Sequence, residues 1–435
     1  MRILLTGDLH LGRSSSGVRS TSRGLRTEGA WGRIVELAVE RGVGAVLLSG
    51  DIIDHSNRYF EAWGPLTRGL SRLAANGIPT LAIAGNHDHS VLGAMALECA
   101  GPEFRFQLLG RQGAWEQAVV EEAGRPALRV LGWSFPSELH ARDPLETFPQ
   151  DLPRDLPLLG LVHGDLDTAG SRYAPLDRAR LAAQPVAGWL LGHIHAPRLV
   201  ENRGGPWILY PGSPQALDPG EEGVHGIWIA EVLPTTIACP VGVPVSTVRY
   251  ERIAIDVGGV ADEAGLRIRL REELQRHAEM ARSHGGESLH TLVTHLTVEG
   301  GTPVADAVEP CLKELQELPG LGAAVTIEVR QATNRATPPL DIPALAQGPS
   351  LVGVLARLVQ ALESGAHGRE VDAVMARARD AVGSLTLVSR VQEGDGDAGF
   401  EFGDDALRRS LATAARKLLA GLLTAGRSDG KGGTA

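Results

Sequence analysis

The first 200 residues alternate short apolar runs with segments in which apolar residues recur every three or four positions. Short apolar runs suit strands buried on both faces, and the longer periodic segments suit helices. Helices are predicted over 29–41 and 59–76, the second closed by Asn76-Gly77 and then Pro79. The pattern predicts an α/β sheet covered by helices, with strands at 3–6, 45–49, 80–84, 128–133, 158–163 and 188–191.

Beyond residue 200 the pattern changes twice. Strands are predicted at 208–210 and 226–232, and a strand–helix–strand–helix–strand pattern then covers 248–331. A proline-rich stretch follows, and helical spacing resumes after it. These changes predict a main α/β domain at 1–245, a smaller α+β capping domain at 246–331, a Pro-rich linker at 332–349, a helical region at 350–425 and a disordered tail at 426–435.

Composition places the chain among globular, multi-domain proteins. It has 435 residues, of which 43% are hydrophobic and 22% charged. No apolar run reaches the roughly 20 residues of a membrane span, and the N-terminus has no signal-peptide pattern. The three cysteines are far apart and odd in number, which indicates a reducing compartment. We therefore expect a cytoplasmic protein with no membrane partner.

Charge changes this picture locally. The net charge of −10 argues against nucleic-acid binding by the whole surface. Between Gly12 and Arg33, however, Glu28 is the acidic residue among several arginines. This stretch either follows a phosphate backbone or is a solvated basic loop that leads into a helix. The candidate DNA contacts are Arg13, Arg19, Arg23 and Arg26.

Polar side chains follow the apolar runs at five places. Open α/β sheets bind their ligands outside the carboxyl ends of the strands, which is where these side chains are expected. Asp8 and His10 are two residues apart, so near a strand end both reach one face, and His193 and His195 repeat this spacing. The five segments are Asp8-Leu9-His10, Gly50-Asp51-Ile52-Ile53-Asp54, Gly85-Asn86-His87-Asp88, His163-Gly164-Asp165 and Gly192-His193-Ile194-His195.

Together these segments offer two carboxylates, one amide and four imidazoles as ligands for two metal ions. Mixed nitrogen and oxygen ligation suits manganese, iron or zinc better than calcium or magnesium. Two such ions activate a water for hydrolysis of a phosphate ester, and Asp51 is placed to bridge them with one oxygen to each. The predicted ligands are Asp8, His10, Asp51, Asn86, His163, His193 and His195.

Four further residues in these segments are candidates for other roles. His87 follows a predicted ligand and could donate a proton to the departing alkoxide. Asp54, Asp88 and Asp165 are either carboxylates that orient metal-bound histidines or carboxylates that cap loops.

The motif series resembles the calcineurin-like metallophosphoesterase superfamily, and within it the SbcD type of DNA repair exonuclease, the bacterial counterpart of the meiotic recombination nuclease. The narrower resemblance rests on the opening Met1–Gly12, on Tyr210–Gln215 after the last histidine motif, and on the position of the capping domain. It covers about residues 1–331 and implies a β-sandwich flanked by helices.

The resemblance also implies an activity and partners. The activity is that of a Mn²⁺-dependent 3′–5′ exonuclease and single-strand endonuclease in DNA repair and recombination, with His87 as the acid. The partners are DNA, a second copy bound through helices near Gly85–Asp88, and an SMC-like (SbcC-type) ATPase bound through the C-terminal helices. One ion would be held by Asp8, His10, Asp51 and His195, and the other by Asp51, Asn86, His163 and His193.

Two alternatives remain open at this level. One is a phosphoesterase of the same chemistry that acts on a small nucleotide or another phosphoester, and the other is a mainly architectural DNA-end-binding subunit. Some family members also have a histidine three residues after the bridging aspartate, which supports exonuclease action. Here Asp54 stands at that position, and His55 follows it.

Overall fold

The structure, a computed structural model, describes residues 1–19, 23–55, 59–201, 204–318, 320–322, 324–392 and 404–428. Its internal contacts divide the chain into two compact units. The first comprises Met1–Ile253, Arg271–Leu296 and Lys313–Ala332, and the second comprises Ala254–Leu270, Thr297–Leu312 and Thr333–Ala435. All of the predicted metal ligands belong to the first unit.

The described residues form strands and helices along the whole chain. The strands are β1 (Arg2–Thr6), β2 (Ala45–Leu48), β3 (Thr80–Ala82), β4 (Phe106–Leu108), β5 (Trp115–Glu122), β6 (Arg125–Trp133), β7 (Leu158–His163), β8 (Gly188–Gly192), β9 (Arg198–Val200), β10 (Trp207–Tyr210), β11 (Gly226–Glu231), β12 (Val241–Pro244), β13 (Val248–Asp256), β14 (Thr291–Gly301) and β15 (Thr326–Thr337). The helices are α1 (Thr27–Arg41), α2 (Tyr59–Ala75), α3 (Leu92–Glu98), α4 (Arg178–Ala182), α5 (Glu263–Gly285), α6 (Ala305–Glu317), α7 (Ile342–Ala346), α8 (Leu351–Glu363), α9 (Arg369–Gln392) and α10 (Asp404–Ser428).

Two six-stranded sheets form the main body of the first unit. One has the order β12-β11-β1-β2-β3-β4, with β1 to β4 parallel and β11 antiparallel to β1. The other has the order β5-β6-β7-β8-β10-β9, with β6, β7, β8 and β10 parallel. The predicted α/β fold with sheets flanked by helices is confirmed.

The alternation of side chains along each strand places one core between the sheets and another beneath the helices. Ile3 and Leu5 of β1 join the cluster between the two sheets, which also contains Leu161 of β7 and Leu190 of β8. Leu4 points to the opposite face, where it packs with residues of α1 and α2. Successive side chains on a strand point to opposite faces, so a strand buried on both faces reads as an unbroken apolar run.

The register of the parallel strands brings their carboxyl ends to a common edge. Thr6 pairs with Leu48, and Leu48 with Ala82, so β1, β2 and β3 end side by side. In the other sheet His163 pairs with Gly192, so β7 and β8 also end together. These strand ends and the segments that leave them contain every predicted metal ligand.

The chain after residue 246 forms a further sheet and a group of helices. Strands β13, β14 and β15 pair in that order, and the division between the two units passes through all three strands. In the second unit α8 packs against α7 and α10 around buried Ala356, Val359 and Leu419. None of the described helices combines the length and apolar character that crossing a membrane requires.

The segment predicted as a Pro-rich linker, 332–349, carries secondary structure. Strand β15 continues through it to Thr337 and ends before Pro338. Asp341 then caps α7, with Pro343 in the first turn, where the missing N–H of proline costs nothing. At the C-terminus α10 runs to Ser428, so the predicted disordered tail begins inside a helix, and residues 429–435 lie outside the described residues.

Candidate metal centre

The backbone turns sharply where the strands end. Asp8, His10, Asp51 and His193 have positive φ angles of 47°, 45°, 48° and 101°. Positive φ is unfavourable for residues that carry a Cβ atom, and residues held there cluster at functional sites. At Gly85 a Cβ atom would lie 2.0 Å from Oδ1 of Asp51, so glycine allows these two loops to approach each other.

Asp8, His10 and His195 form the first group of donors. Nε2 of His10 lies 2.9 Å from Nε2 of His195, and donor atoms of all three residues lie within 4.8 Å of one another. Oδ1 of Asp8 accepts a hydrogen bond from the His193 N–H at 3.0 Å. Its Oδ2 is buried and has no hydrogen-bond partner among the described residues. A cation would satisfy this carboxylate oxygen and both imidazole nitrogens.

Asn86, His163 and His193 form the second group. Oδ1 of Asn86 lies 3.1 Å from Nε2 of His163 and 3.1 Å from Nδ1 of His193. Nε2 of His163 lies 3.4 Å from Oδ2 of Asp51. Ligand atoms bound about 2.0–2.2 Å from one ion stand about 3.0–3.5 Å apart, so these separations fit a shared ion.

Asp51 joins the two groups through a single oxygen. Its Oδ2 lies 3.4 Å from Nε2 of His163 and 3.9 Å from Nε2 of His10, which belong to different groups. Its Oδ1 accepts a hydrogen bond from the His87 N–H at 3.0 Å. The expected bridge with one oxygen to each ion is therefore replaced by an arrangement in which Oδ2 faces both groups.

His87 lies beside these two groups, and one of its ring nitrogens is held in a hydrogen bond. Nδ1 is 2.7 Å from the carbonyl oxygen of Asp54, to which it donates, and 3.2 Å from Nδ1 of His55. Nε2 is directed to the donor groups, 4.0 Å from Oδ2 of Asp51, and the side chain is 27% exposed. The ring is thus partly open to solvent, which a proton donor to a bound substrate requires.

Two of the three undecided carboxylates lie behind imidazoles. Oδ1 of Asp54 is 3.2 Å from Nδ1 of His10, at ion-pair distance. Oδ1 of Asp165 is 3.4 Å from Nε2 of His193. Carboxylates in such positions fix the orientation of an imidazole and raise its basicity.

Asp88, the third of these carboxylates, accepts hydrogen bonds from loop backbone and has no imidazole as its hydrogen-bond partner among the described residues. Its carboxylate accepts hydrogen bonds from the backbone N–H groups of Gly85 at 2.8 Å, Ile52 at 2.7 Å and Ile53 at 3.3 Å. Burial and then the charge of Asp51 raise the pKa of Asp88 to about 7, against the three N–H groups. The residue ties the loop after β2 to the loop after β3.

Glu221 is a component of the site that the sequence pattern does not indicate. Its Oε1 accepts from Nδ1 of His195 at 2.8 Å, and its Oε2 accepts from Oγ of Ser213 at 2.7 Å and from the Leu217 N–H at 2.9 Å. Burial alone would raise the pKa of Glu221, but His195 and these donors lower it to about 2. Glu221 follows no apolar run, and the sequence offers no signal beyond the nearby turn at 210–215.

The turn at 210–215 is hydrogen-bonded to the loop after His163 and to the loop that contains His193 and His195. Oη of Tyr210 donates to the Gly164 carbonyl at 2.6 Å and accepts from the Leu166 N–H at 2.9 Å. The Ser213 N–H donates to the His195 carbonyl at 3.0 Å. Gly212 has a φ of 75°, and a Cβ atom there would lie 2.5 Å from the same carbonyl oxygen.

The metal-free centre holds a proton on His163. Burial disfavours the charged imidazole, but Asp51 beside it raises the pKa of His163 to about 9. Burial would likewise raise the pKa of Asp51, yet His163, His10 and His87 hold it well below the usual range. At neutral pH the pair is therefore an imidazolium and a carboxylate.

We expect cation binding to displace this proton, because only a neutral imidazole is a metal ligand. The apparent affinity for Mn²⁺ should rise with pH up to about 9, the pKa of His163, and level off above it. At pH 7.5, isothermal titration calorimetry in buffers of different ionisation enthalpy should show release of at least about one proton per protein molecule, since against the effect of burial Glu221 also raises the pKa of His195. Heats that do not depend on the buffer would contradict this assignment.

The arginines predicted to contact DNA have different surroundings. Arg13 pairs with Asp218, and the guanidinium of Arg19 donates to backbone carbonyls at the C-terminal end of α6. Arg26 is exposed, and the side chain of Arg23 lies outside the described part of the structure. Two of the four arginines thus have intramolecular partners, and DNA contact by any of them stays a prediction.

A known protein family matches the part of the chain that contains the donor groups. Residues 1–197 match the model of the calcineurin-like phosphoesterase family. The uncharacterized metallophosphoesterase YhaO of Bacillus subtilis is 29% identical over 227 residues, which cover 52% of this chain and 54% of that protein. The DNA double-strand break repair protein Mre11 of Methanopyrus kandleri is 25% identical over 255 residues, 52% of each chain.

Among solved structures, a dimetal phosphatase from Danio rerio aligns with 56% of this chain and 98% of its own, at 13% identity and a TM-score of 0.36. The chain spans about half the length of the curated relatives named above. The family match covers the region in which the strand ends bring the two donor groups together around Asp51. Residues 1–197, which contain both donor groups, therefore resemble the calcineurin-like phosphoesterase family.

Proposed function

We propose that this protein is a metal-dependent nuclease that hydrolyses DNA phosphodiesters. The observation that carries the hydrolytic part is the convergence of two donor groups on Oδ2 of Asp51, 3.4 Å and 3.9 Å from histidines of different groups. When bound, two divalent ions supply an activated water and offset the negative charge of the phosphate.

The protein's own residues supply the remaining steps. Nε2 of His87 would donate a proton to the departing alkoxide, while its Nδ1 is held by the Asp54 carbonyl at 2.7 Å. Asp54, Asp165 and Glu221 would hold metal-binding imidazoles in place, and Asp88 would hold the two loops together. We propose Mn²⁺ as the metal because imidazole nitrogens and carboxylate oxygens together suit it better than Mg²⁺ or Ca²⁺.

Support for DNA as the substrate comes from similarity. A protein described as the DNA double-strand break repair protein Mre11 matches 52% of this chain at 25% identity. The turn at 210–215, which is part of the resemblance to DNA repair exonucleases, braces both histidine loops in the structure. We propose 3′–5′ exonuclease and single-strand endonuclease action in DNA end processing on this basis.

We also propose two protein partners. An SMC-like ATPase would bind the C-terminal helices, where Leu351 of α8 is 64% exposed and Leu418 of α10 is 56% exposed. A second copy of the chain would bind near α2 and α3, where Phe60 is 88% exposed and Leu97 is 69% exposed. Exposed apolar side chains of this size are typical of interaction surfaces when they are grouped.

The deciding experiment compares substrates in the presence of Mn²⁺. Duplex DNA labelled at the 5′ end or at the 3′ end, a circular single strand and a generic bis-phosphate ester are each incubated with the full-length protein. We expect shortening of the duplex from its 3′ ends, nicking of the circle and slower cleavage of the bis-ester.

Two other outcomes favour the alternatives. Cleavage of the bis-ester with no loss of either DNA, even with the SMC-like ATPase present, would indicate a phosphoesterase for a small nucleotide or another phosphoester. Binding of DNA ends with no cleavage of any substrate at saturating Mn²⁺ would indicate an architectural DNA-end-binding subunit.

A further inference from the structure

The two donor groups differ in the charge that surrounds them. The Asp8–His10–His195 group contains the carboxylate of Asp8 in addition to the shared Asp51, and a donor atom of Asp8 also lies within 4.8 Å of donor atoms of Asp51 and His163. Each of its two imidazoles also has a carboxylate next to Nδ1, the ring nitrogen that does not face the other imidazole. Oδ1 of Asp54 is 3.2 Å from Nδ1 of His10, and Oε1 of Glu221 is 2.8 Å from Nδ1 of His195.

The second group is closer to neutral. Its own oxygen donor is the amide of Asn86, and Nδ1 of His163 lies 2.9 Å from a backbone carbonyl oxygen, that of Ser49. His193 has a carboxylate behind it, Asp165, at 3.4 Å from Nε2. This group thus has Asp51 as its shared carboxylate ligand and one supporting carboxylate.

The support of His195 by Glu221 is built into the fold. Glu221 is 8% exposed, and both of its oxygens accept hydrogen bonds, from Nδ1 of His195, from Oγ of Ser213 and from the Leu217 N–H. Ser213 in turn donates its own N–H to the His195 carbonyl at 3.0 Å. The carboxylate therefore directs Nδ1–H away from the centre and leaves Nε2 of His195 facing Nε2 of His10.

We infer that the two metal positions fill in order, and that Glu221 is a positioning residue that makes the Asp8–His10–His195 position the tighter one. Additional negative charge near a divalent cation strengthens its binding. A carboxylate behind an imidazole ligand raises the basicity of that ligand and fixes its orientation. The inference rests on the metal centre of the proposed function, and it does not depend on DNA as the substrate.

The test is a titration of the metal-free, full-length protein with Mn²⁺ alone, followed by calorimetry and by the electron paramagnetic resonance signal of unbound Mn²⁺. We expect two binding events whose affinities differ at least about tenfold. Two equal affinities in the wild-type protein would overturn the inference.

Variants show which of the two donor groups binds the first Mn²⁺ ion. Glu221→Gln keeps the size of the side chain and should weaken the first event by about 10–100-fold, the usual effect of removing such support, while the second event changes little. Asp165→Asn should weaken the second event alone. Glu222→Gln is the matched control, because Glu222 pairs with Arg252 at the surface and lies next to Glu221 in the sequence.

Asp54→Asn provides an independent check should Glu221→Gln fail to fold, since Asp54 supports the other imidazole of the same position. A Glu221→Gln protein that unfolds like wild type and retains both affinities would overturn the inference. So would weakening of the second event in place of the first. Ordered binding without DNA cleavage would leave this inference intact and reject the proposed substrate, so the two failures are distinguishable.

Discussion

The Asp51→Asn protein should lose phosphodiester hydrolysis by roughly a thousandfold or more, since the two-ion chemistry requires both ions in place. Asp51 is 1% exposed, and its Oδ2 is the oxygen that both donor groups share. The amide of asparagine keeps the shape of the side chain but removes the negative charge that balances two cations. Cleavage of a bis-phosphate ester with Mn²⁺, together with the number of ions bound per molecule, measures both effects.

The same variant should change the metal-free protein. Without the Asp51 carboxylate, the largest contribution that offsets the burial of a charged His163 is lost, so the pKa of His163 should fall from about 9. Proton release on adding Mn²⁺ at pH 7.5 should then decrease. Asp151→Asn is the matched control, because Asp151 is an exposed aspartate that belongs to neither donor group. An Asp51→Asn protein that binds two ions with wild-type affinity would refute the role given to Asp51.

The His87→Gln protein should bind two ions normally yet cleave at about 10²–10⁴-fold lower kcat, the usual contribution of a positioned acid. Nε2 of His87 lies 4.0 Å from Oδ2 of Asp51 and is not part of either donor group as assigned above. The loss should therefore appear in kcat and leave the Mn²⁺ titration unchanged. Steady-state cleavage of the bis-ester and the calorimetric titration separate the two quantities.

The pH dependence provides a second readout for His87. Burial lowers the pKa of His87 below its ordinary value of 6.5, against the charge of Asp51. An acid acts in its protonated form, so the ratio of wild-type to variant kcat should fall as the pH rises above 6.5. His367→Gln, at an exposed position, is the matched control. A ratio that stays constant with pH, or a variant that also loses metal, would reject His87 as the acid.

The sequence predicts most of the main sheet because its central strands are buried on both faces. Runs such as Leu158–His163 contain no polar residue before the histidine, and the observed β7 has the same limits. The edge strand β5 lacks an apolar run because most of its side chains are exposed, and the pattern does not predict it. Periodicity detects strands through burial, so exposed edge strands give little signal.

The sequence by itself indicated the residue types of the candidate metal centre, since the predicted ligands follow the apolar runs and parallel strands bring their carboxyl ends to one edge. Only the tertiary structure decided how these side chains are oriented and which groups they contact. It directs one oxygen of Asp51 to both groups, places Glu221 behind His195, and pairs Arg13 and Arg19 with the protein's own groups. Residues that meet only after folding, such as His195 and Glu221 from separate loops, share no local pattern, because their contact depends on the path of the chain between them.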